Sequence, residues 1–337
     1  MKKYNVCVIG ATGLVGSEMV KTLLKRQFPI ENLKLFATSK SAGTKVKTPF
    51  GVLTVEELKA ESFKGMDIAL FSGGEIASEE YAHKAVEQGC VVIDNSASFR
   101  MDKDVPLVVP EVNPEALSSH KGIIANPNCS TIQMVAALKP IYDAVGINRV
   151  IVSTYQSVSG TGKQAIEALD SQIKAVVEGE NPTVSVYPYQ IAFNIIPQIG
   201  SLGENGYYSE ELKMIYETKK ILTDDSIRVS ATTVRVPVKR GHCESVNIET
   251  KSKITPQQVR ELLAKQKGIK VLDDPQNSIY PTPLECSMSD DVFIGRIRED
   301  LSCENAIEMW VVSDNLLKGA ALNAVQIAET LIEKGLL

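Results

Sequence analysis

Cys129 ends the polar step Asn126-Pro127-Asn128 and is followed by Ser130-Thr131, directly after the apolar run Ile123 to Ala125. The apolar periodicity of Ile132, Val135, Ala136 and Leu138 opens there, so the thiol sits at a strand-to-helix junction. Free N–H groups and the positive end of a helix dipole favour a thiolate at such a point and stabilise an oxyanion beside it. Cys129 is therefore the candidate nucleophile, whereas Cys7 and Cys90, inside strand patterns, read as small buried hydrophobes. Three histidines limit the acid/base choices: His83, His120 and His242. A lone loop histidine is more often solvated than catalytic, and His242 stands out only because Pro237-Val238-Lys239-Arg240-Gly241 before it suits a ligand. The side chain of Cys243 should alternate away from His242 if the segment is extended. Arg100, Lys213 and Arg235 read as ordinary surface charges, and no His/Cys/Asp cluster has metal-ligand spacing.

A second chemistry lies near the start. Gly10-Ala11-Thr12-Gly13-Leu14-Val15-Gly16 follows a strand pattern and opens a helix, the setting a dinucleotide pyrophosphate needs: small residues admit it and aligned N–H groups bind it. A glycine-rich turn that merely packs tightly would share this spacing. The second strand ends in Thr38-Ser39-Lys40-Ser41, with no acid before Glu56 to hold ribose hydroxyls. Hydroxyls and a cation there point to the 2′-phosphate of NADP.

The elements that must carry these groups alternate through the first half. Val6 to Ile9, Leu33 to Ala37, Ile68 to Phe71 and Val91 to Ile93 read as strands; Leu14 to Arg26 and Glu79 to Gln88 read as helices, which is the pattern of βαβ units and a parallel sheet. After about residue 147 strands follow one another: Arg149 to Tyr155, Arg228 to Pro237, Val246 to Thr250, Val292 to Ile297 and Ile307 to Ser313. A mixed or antiparallel sheet is expected, with helices over Gly162 to Glu178, Glu210 to Leu222, Pro256 to Lys267 and Leu316 to Lys334. The 337 residues suit two domains. A net charge of −5 implies no nucleic-acid face, and the longest uncharged run, 181–203, holds three prolines and is no membrane helix. Six cysteines without a C-x-x-C pair fit reduced thiols in a cytosol, and Lys2-Lys3 with the glycine-broken run behind it does not form a leader peptide.

The ordered motifs resemble the aspartate-semialdehyde dehydrogenases of the shorter bacterial type. They are Gly10 to Gly16, Ser72-Gly73-Gly74, Asp94 to Arg100, Val109 to Asn113, Asn126 to Thr131, Gln156 to Gly162, Arg235 to Val238 with Gly241-His242, and Asp314 to Ala321. Lys40 and Leu317 stand where relatives often carry arginine. The related acetylglutamyl-phosphate reductases typically have an aromatic residue after the cysteine, where this chain has Ser130.

The resemblance implies a Rossmann-type domain, 1–128 and 315–337, binding NADP, and an α+β catalytic and dimerisation domain, 129–314, with a mixed, largely antiparallel sheet, as in glyceraldehyde phosphate dehydrogenase relatives. It implies reduction of L-aspartyl 4-phosphate to L-aspartate 4-semialdehyde and phosphate, leading to lysine, methionine and threonine. By the same resemblance Cys129 forms a thioester, His242 is the acid/base and Gln156 orients substrate. Arg235 pairs with the α-carboxylate, Glu210 with the amine, and Lys213 and Arg100 with the phosphate. Ser159, Gly160 and Asn315 complete the nicotinamide side; Gly10, Thr12, Gly13, Leu14, Val15, Gly16, Ser39, Lys40 and Ser41 bind the rest of the cofactor. A cytoplasmic homodimer through the second-domain sheet is expected, with neither membrane nor nucleic acid as partner. Two alternatives stay open: another acyl-phosphate or acyl-thioester reductase of the superfamily, and a catalytically silent NADP-binding paralogue.

Overall fold

Short β-branched and aromatic runs, each followed by a helical stripe, lay down the first part of the chain as parallel sheet. The structure, a computed structural model, describes residues 2–49 and 51–337. The chain divides into two compact units, Met1–Asn128 with Ala320–Leu337, and Cys129–Gly319.

In the first unit the order is β1 (Tyr4–Ile9), α1 (Leu14–Lys25), β2 (Ile30–Ala37), the hairpin strands β3 (Lys45–Thr48) and β4 (Gly51–Thr54), β5 (Glu56–Glu57), β6 (Ile68–Phe71), α2 (Glu75–Glu87), β7 (Val91–Asp94) and β8 (Ile123–Ala125). The parallel sheet runs β5-β2-β1-β6-β7-β8. Its order reverses between β1 and β6, which opens a crevice beyond the carboxyl ends of those strands. Val6 and Val8 of β1, Met19 and Leu23 of α1, and Ala324, Ile327 and Leu331 near the C-terminus share one core.

The second unit contains α3 (Cys129–Val145), β9 (Ile147–Gln156), α4 (Lys163–Val177), α5 (Ser209–Leu222), β10 (Arg228–Arg235), β11 (His242–Thr250), α6 (Pro256–Lys265), β12 (Ile269–Val271), α7 (Pro283–Cys286), β13 (Val292–Glu299) and β14 (Ala306–Ser313). Its sheet runs β10-β9-β11-β14-β13-β12; the two outer pairs are parallel and the inner ones antiparallel. Val150 and Val152 of β9 and Val246 and Ile248 of β11 are buried, while Ile151 and Tyr155 on the other face are exposed, the alternation of a sheet covered on one side.

Two expectations need correction. His242 is not a loop residue but the first residue of β11, where it pairs with Ser313. The final helix does not begin at Leu316: Leu317–Ala321 form a π-turn, and α8 is Leu322–Lys334. The small strands β3, β4, β5 and β12, two to four residues long, lie outside the strands read from the sequence. No helix among the described residues is long and apolar enough to cross a membrane.

Candidate active site

One end of the second sheet collects the chemistry. β9 ends at Gln156 and its parallel neighbour β10 ends at Arg235, in register with it. β11 runs the other way and starts there with His242, opposite Ser313 at the end of β14. Strand direction alone thus gathers Gln156, Arg235, His242 and Ser313 from distant parts of the sequence. α5 adds Glu210: Glu211 caps the helix by accepting from Tyr208 N–H at 2.8 Å and is tied to β10 through Thr233 N–H at 3.0 Å. Glu210 Oε1 accepts from Gln156 Nε2 at 3.2 Å, and Thr154 Oγ1 donates to Gln156 Oε1 at 3.0 Å. Lys213 donates to Glu210 Oε2 at 3.3 Å.

The cations are not the surface charges that composition suggested. Arg235 is buried; its Nη1 donates to Ser157 O at 2.6 Å, its guanidinium lies 5.9 Å from the Tyr187 ring, and its Nε has no partner. Arg100, in the first unit, is buried too, with Nε on Asn126 O and Nη2 on Asn95 O, both at 3.0 Å. The Arg235 guanidinium, planar and with an unused buried N–H, is suited to a carboxylate oxygen.

His242 is fully buried. Its Nδ1 accepts from Ser157 N–H at 3.0 Å and lies 3.1 Å from Ser157 Oγ, while Nε2 has no partner. Burial first and Arg235 second bring its pKa down to about 3, against the opposing pull of Glu210 and the Gly241 backbone. Around it, Asn315 Oδ1 accepts from Gly241 N–H at 2.9 Å and from Ser157 and Ser159 Oγ at 3.2 Å. Gly160 comes close to both groups: a methyl group added there would lie 3.2 Å from Arg235 Nη1 and 3.4 Å from His242 Nε2.

Cys129 is the first residue of α3 and half-buried. Cys7, Cys90, Cys243 and Cys286 are buried. Burial pushes the Cys7 thiol well above its usual value, Cys243 up to about 12 and Cys286 up to about 11. Those thiols are chemically quiet. Ser313 Oγ donates to Gln133 Oε1 at 2.7 Å, and Gln133 lies one turn beyond Cys129, which ties the nucleophile's helix to the strand pair holding His242.

In the first unit a cavity of about 570 Å³ opens at the sheet's reversal point, lined by Gly10, Thr12, Gly13, Thr38, Ser39, Ser41, Glu57, Ser72, Gly73, Glu80 and Tyr81 among others. A methyl group at Gly10 (φ 76°) would lie 2.6 Å from Ser72 O, so only glycine fits. α1 has no side-chain cap and no acid in its first turn, which leaves its leading N–H groups to an anion. The residues fit a dinucleotide. Leu14, Val15 and Gly16 do not line this cavity, and Gly16 instead packs on the Gly10 carbonyl. Lys40 is exposed in the short turn Ser39–Ser41. Ser159, Gly160 and Asn315 belong to the second unit.

Residues 5–120 match the profile of the semialdehyde dehydrogenase NAD binding domain, and residues 138–318 that of the semialdehyde dehydrogenase dimerisation domain. The chain is 54% identical over 338 residues to the aspartate-semialdehyde dehydrogenase of Aquifex aeolicus, covering 99% of each. The chain belongs to the aspartate-semialdehyde dehydrogenase family. The structure of aspartate semialdehyde dehydrogenase II complexed with ASA from Vibrio cholerae superposes with a TM-score of 0.97, 46% identity and 99% coverage of both chains. That of aspartate semialdehyde dehydrogenase with NADP from Candida albicans gives 0.78 at 28% identity, covering 100% of each.

For this aspartate-semialdehyde dehydrogenase relative, sequence reasoning missed Glu57, Ser157 and Gly319 as site neighbours. Glu57 reaches the dinucleotide cavity because β5 pairs with the end of β2, Ala37 opposite Glu57. A two-residue strand leaves no periodic signal. Ser157 and Gly319 lie within motifs quoted above, but Gly319 acts through the absence of a side chain, and Ser157 through its backbone N–H and carbonyl as well as its Oγ.

Proposed function

We propose that the chain is an NADP-dependent aspartate-semialdehyde dehydrogenase, converting L-aspartyl 4-phosphate to L-aspartate 4-semialdehyde with release of phosphate. The observation that carries this reading is the convergence of Gln156, Arg235 and His242 at one sheet end, in the unit whose first helix begins with Cys129. Cys129 attacks the acyl phosphate and retains the aspartyl group as a thioester, with phosphate as leaving group. Arg235 receives the α-carboxylate, Glu210 the amine, and Lys213 and Arg100 the phosphate; Gln156 orients the acyl group and His242 serves as the acid/base.

The dinucleotide, when bound, supplies the hydride that reduces the thioester. Gly10, Thr12 and Gly13, with the leading N–H groups of α1 at Leu14, Val15 and Gly16, hold its pyrophosphate. Ser39, Lys40 and Ser41 hold the 2′-phosphate, and Ser159, Gly160 and Asn315 hold the nicotinamide side.

The chain works as a homodimer through the uncovered sheet face, where Tyr155 packs 5.3 Å from Trp310 and Ile151 is exposed. Its setting is cytoplasmic, in keeping with the spacing of its six cysteines in the sequence.

Phosphate-dependent oxidation of aspartate semialdehyde, run beside acetylglutamate semialdehyde with NADP and NAD, tests the assignment. Turnover of the aspartyl substrate alone is expected. Preference for the acetylated one would make the chain another acyl-phosphate reductase, and turnover of neither a silent paralogue.

A further inference from the structure

We propose that the backbone N–H of Ser157 fixes His242 as the neutral Nε2–H tautomer, so that the ring serves the acylation step as a hydrogen-bond donor to the substrate oxyanion. This deepens the reading of the site above and rests on it. A backbone N–H can only donate, and this one meets Nδ1 at 3.0 Å. Nδ1 therefore carries a lone pair, and the single proton of the neutral ring is on Nε2. An imidazolium would turn a second N–H against that of Ser157. Of the charged and titratable neighbours, Arg235 of β10 also opposes the cation, Glu210 of α5 favours it, and Glu244 lies two residues along β11 on the same face.

The Nε2 proton is unengaged within the protein. Nε2 is buried with no partner, and both it and Arg235 Nη1 face the Cα of Gly160, where an added methyl group would come within 3.4 Å and 3.2 Å of them. A donor held unpaired in a dry site is what a developing oxyanion requires.

The step balances without the ring gaining or losing a proton. The Cys129 thiolate attacks the carbonyl carbon of the acyl phosphate, the C–S bond forms, and the carbonyl π pair moves to oxygen, where Nε2–H meets it. The pair then returns, the C–O bond to phosphate breaks, and inorganic phosphate leaves. Proton transfer by an imidazolium has no place in this step, which suits a ring whose burial and whose neighbour Arg235 both disfavour the cation.

The test combines ¹⁵N NMR of the histidine rings with single-turnover phosphate release from aspartyl phosphate, measured without dinucleotide. Ser157 has φ −65° and follows a residue in extended strand, so Ser157→Pro removes the N–H in a backbone shape proline accepts. The wild type and Ser157→Ala are expected to show His242 as Nε2–H. Ser157→Pro is expected to lose that signature and to release phosphate about 10²-fold more slowly, the usual cost of one oxyanion donor. His242→Gln keeps an amide donor but cannot shuttle a proton, and is expected to acylate about tenfold faster than His242→Ala. That pair stands even if Ser157→Pro misfolds. A wild-type ring protonated on Nδ1, or a Gln variant no faster than Ala, overturns the proposal. Full acylation by His242→Ala would instead remove His242 from the site and overturn the reading beneath it.

Discussion

Cys129 and Gly319 pack back to back: a methyl group at Gly319 would lie 2.9 Å from Cys129 Cβ and 3.3 Å from its Cα. Neither backbone can yield without moving the first turn of α3. Gly319→Ala is therefore expected to lower kcat at least about tenfold through misplacement of the thiol, with KM little changed. Overpacking should also cost about 1–3 kcal/mol of stability. Steady-state kinetics and thermal melts check both, and an Ala variant with wild-type kcat would show that this contact does not set the thiol's position.

Cys129→Ser should keep the fold and dinucleotide binding but lose nearly all turnover, because a neutral hydroxyl is a far weaker nucleophile than a thiolate. Alkylation of the wild type should be blocked by an aspartyl phosphate analogue. Fast labelling at Cys7 or Cys90 instead would contradict the burial that keeps those thiols inert.

Arg235→Leu is expected to raise KM for aspartate semialdehyde and lower kcat/KM by at least about tenfold, since a charge-assisted pair with the carboxylate is lost. Lys213→Leu should raise KM for phosphate in the oxidative direction and move that for the semialdehyde less. Direct affinity measurements belong beside the kinetics. If both variants respond alike to the two ligands, the assignment of these cations to opposite ends of the substrate fails.

NADP should bind more tightly than NAD, and Lys40→Ala should weaken NADP while leaving NAD nearly unchanged. Glu57 works against this, because its carboxylate lines the same cavity as Ser39 and Ser41. Glu57→Gln is expected to strengthen 2′,5′-ADP binding relative to 5′-AMP, by calorimetry. Equal affinities in every variant would locate the 2′-phosphate elsewhere.

Glu244 is fully buried with the Gln133 side chain as its hydrogen-bonding neighbour, and burial pushes its pKa well above 4.5 against the opposing pull of Gln133. From pH 4.5 up to that raised value the folded chain keeps a proton the unfolded chain has released, so stability falls as pH rises. Glu244→Gln should therefore melt higher than the wild type at about pH 8, with the gain vanishing below pH 4.5. His242, held down to about 3, has the opposite sign: its contribution is lost as pH falls from 6.5 to about 3. Melting curves across pH for Glu244→Gln check the first slope, and an unchanged Tm difference at all pH values would contradict it.

Much of this was legible in residue order. Ile68–Phe71 and Ile123–Ala125 carry enough apolar pattern to mark their strands to the residue, and Asn-Pro-Asn before Cys129 marks the start of α3. What stayed hidden depends on pairing across the sheet. His242 reads as a loop residue because Gly241 and the basic run precede it, and only the ladder with β14 makes it a strand residue. Arg235 reads as a surface charge because nothing local announces that Tyr187 and the Ser157 carbonyl will enclose it. Glu57 escapes because its neighbour in space, Ala37, lies twenty residues earlier.

The π-turn at Leu317–Ala321 leads directly into a helix that is intolerant of length change. On its upstream side Asp314 accepts from Arg240 Nε at 2.6 Å and from Met288 N–H at 2.7 Å, and on its downstream side Ala324, Ile327, Ala328 and Leu331 fill the core of the first unit. Within α8, removing one residue ahead of this stripe would rotate it by about 100° about the helix axis and turn it toward water. Substitutions here can be graded in effect, whereas a single-codon deletion or insertion ahead of the stripe should be lethal to folding, so a catalogue of natural variants ought to show a gapless segment from Leu322 to Leu331.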